Sequence, residues 1–216
     1  CSELLLESHY LNQENTSNLY YVRKLIKLAR RNKEPEYGIY AYSIAFFIEQ
    51  DPKRKAITTD SCLWYINKSA DHSAKFTGYS RLGYNKGQDS DALVFFLQAL
   101  EEVKGKKYYQ EEHEAYSSIA GYYRDHNDYT TAIKYAEKAL QIAEQSKNQD
   151  DLRSILNDLG TLYFDRDTVS TSIAEKYYKR AFSTIKNERE KKVLTIYPVL
   201  LLNLSNIYDR KKEYDK

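Results

Sequence analysis

The strongest constraint on the fold is a pattern that recurs along the second half of the chain. A large apolar residue is followed at once by a small one at Leu82-Gly83, Ile119-Ala120, Leu159-Gly160 and Leu204-Ser205. A tyrosine comes three positions after the small residue in the last three copies, at Tyr123, Tyr163 and Tyr208. Alanines seven residues apart follow, as Ala92 and Ala99, Ala132 and Ala139, and Ala174 and Ala181. Such a recurrence indicates a repeat architecture.

The spacing within each copy predicts helices. Residues separated by three, four or seven positions share one face of an α-helix, so each copy predicts two amphipathic helices joined by a polar turn. One such hairpin cannot bury its apolar face, whereas stacked copies can. We therefore predict an all-α fold, a right-handed superhelical solenoid of antiparallel helix pairs. The low content of turn residues, with 7 Gly and 3 Pro among 216 residues, argues against an all-β fold.

These motifs resemble the tetratricopeptide repeat family. The first helix carries large-x-x-large-small-x-x-Tyr, and the second carries two alanines separated by six residues. The equivalent alanines Ala92, Ala132 and Ala174 are 40 and 42 residues apart, against about 34 in the commonest repeat. Longer repeats of this kind are similar to those of kinesin light chains and of bacterial regulatory proteins and lipoproteins.

Three departures from the pattern give further expectations. Gly83 to Ala92 spans only 9 residues, where Ala120 to Ala132 spans 12, and we expect a deletion inside the helix to disrupt its register. We expect two extra residues in a turn around 165–170, since Gly160 lies 14 residues before the matching alanine. Residues 209–216 are predicted to form the turn of an incomplete last repeat.

The N-terminal third repeats less clearly. We divide the chain into residues 1–75, with N-terminal helices and a degenerate repeat, and residues 76–216, with the tetratricopeptide-like repeats. Periodicity predicts helices over 19–31, 37–49 and 56–70. Trp64 and Cys62 are predicted to lie on the apolar side of the third helix, in the core.

Composition and motifs give no sign of catalysis. The net charge of +2 favours no direct contact with nucleic acid, and two cysteines cannot form a disulfide framework. The histidines His9, His72, His113 and His126 are far apart and are predicted to lie on the surface. Glu111, Glu112 and Glu114 are predicted to be a helix-start charge cluster. Basic runs at 104–107, 190–192 and 210–212 are predicted to be solvated turns. We predict a protein that is not an enzyme and has no cofactor and no metal.

The resemblance implies where a partner binds. First helices of the family line a concave groove, and the corresponding positions here mix hydroxyls, amides, charges and aromatics, which suits a protein or peptide partner. They are Thr77, Ser80, Tyr84, Glu114, Ser117, Arg124, Asp125, Asn157, Thr161, Phe164, Asp165, Asn206, Asp209 and Arg210. The family's carboxylate clamp is not supported, because Leu202 occupies one of its groove positions.

The first residue suggests a location. A chain beginning with Cys1-Ser2 matches a mature bacterial lipoprotein, which predicts lipid attachment at Cys1 and an envelope location on the periplasmic side. The alternative is a renumbered fragment and a cytoplasmic location. The predicted function is a scaffold that binds protein or peptide, as the sensory region of a longer bacterial regulator or as a membrane-anchored lipoprotein. The alternatives are a glycan-capturing lipoprotein similar to the SusD type and a phosphatase-like regulator.

Overall fold

A computed structural model of the protein describes residues 15–31, 34–49, 51–185 and 195–214. These ranges contain ten α-helices and no strand, which confirms the predicted all-α class. None of these helices is both long and apolar enough to cross a bilayer. In chain order the helices are α1 Asn15–Arg31, α2 Pro35–Ile48, α3 Pro52–Lys68, α4 His72–Lys86, α5 Ser90–Val103, α6 Tyr109–Asp125, α7 Tyr129–Ser146, α8 Gln149–Arg166, α9 Thr171–Ser183 and α10 Ile196–Tyr214.

Helix starts are fixed by short polar side chains that satisfy free backbone N–H groups. The Asp51 carboxylate accepts from the Arg54 N–H at 2.9 Å, next to Pro52 at the first position of α3. The Asn148 side chain accepts from the N–H groups of Asp150 and Asp151, at the start of α8. Caps of this kind set where each helix begins and therefore the length of each hairpin.

The chain forms two compact units, residues 1–104 and 105–216. The first unit holds α1 to α5. In it, α2 pairs with α3 and α4 pairs with α5, while α1 packs on α2 and α2 also packs on α4. Its core contains Ile39, Cys62, Ile66 and Leu82, all 0–1% exposed. The predicted boundary near residue 75 concerns where the repeats begin, and it stays a prediction.

The second unit holds α6 to α10. Here α6 pairs with α7, α8 pairs with α9, and α10 packs on α9 and α8. The alanines at the crossings, Ala132 and Ala139 in α7 and Ala174 and Ala181 in α9, are all 0% exposed. The predicted stacking of antiparallel helix pairs is confirmed within each unit.

The expectation that the short interval after Gly83 disrupts the helix is wrong. A Cβ at Gly83 would lie 2.6 Å from the Phe96 ring, and one at Gly160 would lie 2.5 Å from the Tyr178 ring. Phe96 and Tyr178 each follow the first alanine of their repeat by four residues, so the two crossings are equivalent. The register of the crossing between α4 and α5 is kept, because α4 ends at Lys86, only three residues beyond Gly83. The shorter interval therefore removes residues from the end of α4, beyond the point where the two helices cross.

Two predicted turns differ in detail. Residues 209–214 were predicted as a turn and are helical, since α10 continues to Tyr214. Arg210 and Lys211 explain this difference, because they bond to Phe164 in α8 and Glu175 in α9 across the hairpin. The insertion near 165–170 is shared between helix and turn, because α8 continues to Arg166 before the connection 167–170.

Two residues of α3 have opposite environments. Cys62 is 0% exposed, as predicted, and burial raises the pKa of its thiol to about 12. Trp64 is 52% exposed, so the prediction that it lies in the core is wrong. Two residues along a helix are about 200° apart around its axis, so both cannot face the same core. The Lys68 ammonium lies 3.8 Å from the centre of the Trp64 ring instead.

The surface assignment of the histidines is wrong for one of them. His113 is 8% exposed, and its Nδ1 lies 3.1 Å from the carbonyl oxygen of Ala139. It faces α7 because it shares the inner side of α6 with Tyr116 and Ala120. His126 is exposed and His72 contacts Glu102 at 2.8 Å, whereas His9 lies outside the described residues.

The predictions for the acidic and basic clusters are also only partly confirmed. Glu111 and Glu112 lie in the first turn of α6, as predicted, and Glu112 is buried, accepting from the Gly105 N–H. Residues 104–107 form an exposed turn. The run at 210–212 is helical and not a turn, and the run at 190–192 lies outside the described residues.

Candidate peptide-binding groove

The predicted groove residues of the first unit, Thr77, Ser80 and Tyr84, differ in their exposure. Tyr84 is 55% exposed and its ring packs edge-on against Phe96, with centroids 5.1 Å apart. Thr77 is half-buried and donates its hydroxyl to the Ser73 carbonyl oxygen. Ser80 is only 3% exposed, so it is not available on a groove surface. Its position on α4 faces inward because it lies next to the buried Tyr79.

The predicted residues of the second unit lead to a pocket between α6 and α8. The pocket has a volume of about 40 Å³, with α7 at its base. Two of its lining residues, Ser117 and Arg124, were predicted from the sequence. The full lining is Ser117, Ala120, Gly121, Arg124, Ala136, Ile155, Asp158 and Leu162.

The most unusual residue of the pocket is Asp158, which the sequence prediction missed. Burial raises the pKa of its carboxyl. A hydrogen bond with Asn157 and the positive charges of Arg124 and His113 act in the opposite direction, but they do not outweigh burial. The predicted groove positions of α8 were Asn157, Thr161, Phe164 and Asp165, and Asp158 was not among them. Asp158 lies one residue before Leu159, and its one available signal was a charge beside the large-small pair.

Two further features leave space and unused hydrogen-bonding capacity in the pocket. The Ser117 Oγ is buried and has no hydrogen-bond partner among the described residues. Gly121 lies within α6, and a Cβ placed there would meet no atom within 4 Å. A glycine inside a helix costs about 0.5–1 kcal/mol relative to alanine. Packing against neighbouring helices does not require a glycine at position 121.

Arg124 stands at the exposed end of α6, and its charge is shared with its neighbour. Its Nε and Nη2 both donate to the Asp125 Oδ1, at 3.0 and 2.9 Å. Glu114, the remaining predicted residue of α6, is exposed one turn before Ser117. The pocket lining therefore combines three polar residues, Ser117, Asp158 and Arg124, with apolar alanine, isoleucine and leucine side chains.

One pair of predicted groove residues in α8 and α10 bonds to each other, and two further ones in α8 bond to other residues. The Asn203 amide donates to the Asn157 Oδ1 at 2.9 Å, and the Arg210 Nη1 donates to the Phe164 carbonyl oxygen at 2.7 Å. The Arg210 guanidinium also stacks 3.2 Å from the centre of the Phe164 ring. Thr161 Oγ1 lies 3.2 Å from the Tyr178 hydroxyl. The remaining predicted positions, Asp165, Asn206 and Asp209, are exposed.

Residues 114–146 match the model of a tetratricopeptide repeat family. This segment therefore matches one tetratricopeptide repeat within an all-helical repeat protein. The matched segment covers most of α6 and all of α7, which supply the Ser117 side and the base of the pocket. No curated protein matches the sequence of the chain.

Solved structures agree on the fold. BtubC (BKLC) from P. vanneervenii superposes with a TM-score of 0.74 at 16% identity, over 95% of this chain and 86% of that one. A signal transduction ATPase with numerous domains and a tetratricopeptide repeat sensor, from Pyrococcus horikoshii, gives 0.67 at 17% identity. That match covers 91% of this chain and 31% of the ATPase. At these identities the likeness shows a shared helical repeat fold.

The fold and the repeat define the broad class of function. Tetratricopeptide repeats are protein-interaction scaffolds and are generally not enzymatic. Across the described ranges, no group of three or more His, Cys, Asp or Glu side chains is arranged to hold a metal ion. The pocket between α6 and α8 is therefore the candidate binding site.

Proposed function

We propose that this tetratricopeptide repeat protein is a non-enzymatic scaffold that binds an extended segment of a partner protein across α6 and α8. The observation that carries the proposal is that five of the eight residues lining the pocket, Ser117, Ala120, Gly121, Arg124 and Ala136, lie in the segment that matches the family model. Two residues that the repeat register assigned to the groove, Ser117 and Arg124, line it. The repeat register and the pocket lining therefore indicate the same surface, which supports a binding role for that surface.

The size of the pocket favours a peptide over a free small molecule. Pockets that enclose a whole drug-sized ligand have volumes of about 300–1,000 Å³. A space of about 40 Å³ instead fits part of one side chain. A peptide lying along the groove can place a single side chain there while the rest of its length contacts neighbouring positions. The same comparison disfavours the glycan-capturing alternative at this pocket.

The test is a peptide selection with a variant that fills the pocket. Peptides selected from a random display library against the full chain are synthesised, and their affinities are measured by fluorescence polarisation. Gly121→Val places a side chain in the open space of the pocket. Gln141→Val places the same side chain at an exposed position of α7, which does not line the pocket, and serves as the matched control.

The proposal predicts that Gly121→Val abolishes binding of the selected peptides, whereas Gln141→Val leaves their affinity unchanged. Circular dichroism of both variants checks that they remain helical. If no peptide binds the wild-type chain, or if binding survives Gly121→Val, the groove between α6 and α8 is not the binding surface.

The setting of this scaffold is also a proposal. The Pyrococcus horikoshii structure carries its tetratricopeptide repeats as a sensor, which supports a sensory region of a longer bacterial regulator here. Lipid attachment at Cys1, with an envelope location, stays a prediction, because Cys1 lies outside the described residues. The intact mass of the protein purified from its own cells distinguishes an acylated Cys1 from a free one.

A further inference from the structure

The pocket contains one carboxyl group, that of the half-buried Asp158. Asp158 lines the space, and burial raises the pKa of its carboxyl despite the hydrogen bond with Asn157. The Ser117 Oγ, also buried, has no partner among the described side chains and backbone groups. A buried polar atom without a hydrogen bond is costly, and a buried carboxylate more so. A ligand that supplies donors and positive charge would relieve both costs.

The positively charged residue already in the pocket, Arg124, does not fully supply this positive charge. Arg124 lines the pocket, but two of its N–H groups bond to Asp125. The one guanidinium of Arg124 is therefore shared by two carboxylates, those of Asp125 and Asp158. This excess of negative charge is complementary to a cation.

The shape of the lining identifies which cation fits. The lining divides into the apolar side chains of Ala120, Ala136, Ile155 and Leu162 and the polar ones of Ser117, Asp158 and Arg124. A lysine side chain has the same division, because its methylene stem packs on apolar surface while its ammonium group carries three hydrogen-bond donors. Gly121 leaves the space beside α6 open for such a stem.

We infer that the pocket is a subsite for one lysine side chain of the bound peptide, with the ammonium group on Asp158 and Ser117 and the stem against the walls from α7 and α8. This inference rests on the proposed function, since it assigns a chemical class to the same binding surface. It also gives Gly121 a role, because any larger residue would occupy the volume needed by the stem.

The test uses the full chain and the lysine-containing peptides recovered in the selection. Each is compared with a peptide in which norleucine replaces the lysine, which keeps the stem and removes the ammonium group. Asp158→Asn removes the carboxylate charge from the protein. Asp60→Asn removes an equivalent charge from an exposed position of α3 and is the control.

The expected result is a loss of affinity of about ten- to hundredfold for either change alone, as for a charge-assisted hydrogen bond. Combining norleucine with Asp158→Asn should cost little more than either change, because both remove the same interaction. Asp60→Asn should leave both peptides unaffected. Ser117→Ala should weaken the lysine peptide and leave the norleucine peptide unaffected.

The two proposals fail in different ways. If selected peptides bind in the groove and are blocked by Gly121→Val, but lack lysine or tolerate norleucine and Asp158→Asn, the lysine subsite is wrong and the scaffold stands. Selection of acidic peptides would have the same meaning. If no peptide is blocked by Gly121→Val, the proposed function itself fails.

Discussion

At the scale of single residues, two helix-interior glycines have different reasons to be glycine. Gly160 faces the Tyr178 ring, where an added Cβ would lie 2.5 Å from a ring carbon. Gly121 faces open space in the pocket. The first glycine permits two helices to pack closely, and its neighbour Tyr178 is 2% exposed. The second has no packing role, so its presence is consistent with an occupied pocket.

Alanine substitutions should therefore change stability in opposite directions. Gly121→Ala is expected to raise the free energy of unfolding by about 0.5–1 kcal/mol, because alanine is the better helix former. Gly160→Ala is expected to lower it by about 1–3 kcal/mol, because the buried Tyr178 ring must shift. Urea unfolding followed by circular dichroism measures both. Destabilisation by Gly121→Ala would show that its surroundings are not open.

The raised pKa of Asp158 predicts a pH-dependent stability difference. The folded state holds the proton more tightly than the unfolded state, whose pKa is about 4. The contribution of this carboxyl is therefore complete below that pH and is lost as pH rises through the folded pKa. The Asp158→Asn variant should therefore become more stable relative to wild type as the pH rises through the folded-state pKa of Asp158.

The measurement is the difference in urea midpoint between wild type and Asp158→Asn at several pH values. Using the difference removes the effect of other carboxyls such as Asp167 and Glu175, whose pKa values are lowered and whose dependence has the opposite sign. The other groups that act on Asp158 are Arg124, His113 and the Asn157 amide. A constant difference across the range would contradict the burial of this carboxyl.

At the scale of the helices, local signals placed the elements and the caps set their starts. The sequence predicted helices over 37–49 and 56–70, and the structure has them at Pro35–Ile48 and Pro52–Lys68. The error of four residues at the start of α3 comes from a proline in the first turn, which periodicity does not detect. Pro52 and the Asp51 cap begin the helix before its apolar pattern does.

The cap of α8 gives a test at this scale. Asn148→Ala should lower the free energy of unfolding by about 1 kcal/mol, because the N–H groups of Asp150 and Asp151 lose their acceptor. Asn148→Asp keeps an acceptor oxygen and should retain most of the stability. Equal unfolding midpoints for Asn148→Ala and wild type would show that water replaces the cap without cost.

At the scale of the whole molecule, the proposed binding surface belongs to one compact unit. Every residue that lines the pocket lies in residues 105–216, which have their own buried core. We therefore expect a fragment of these residues to remain helical and to bind the selected peptides with the affinity of the full chain. Fluorescence polarisation and circular dichroism of the fragment check this. A helical fragment that fails to bind would place part of the binding surface in residues 1–104.

The sequence alone determined the repeat, the helical class and the pairing of helices into hairpins. These follow from periodic spacing of apolar and small residues, which local chain geometry converts directly into helix faces. It also located Ser117 and Arg124, since the repeat register fixes which side of α6 they occupy.

Only the tertiary structure decided which polar residues became buried. His113 is buried and Asp158 is half-buried, although both look like ordinary surface residues in sequence, because their burial depends on neighbouring helices that are distant along the chain. The same holds for the openness at Gly121 and the exposure of Trp64. A repeat register gives the direction in which a side chain points, whereas the chemistry of a pocket depends on what packs beside it.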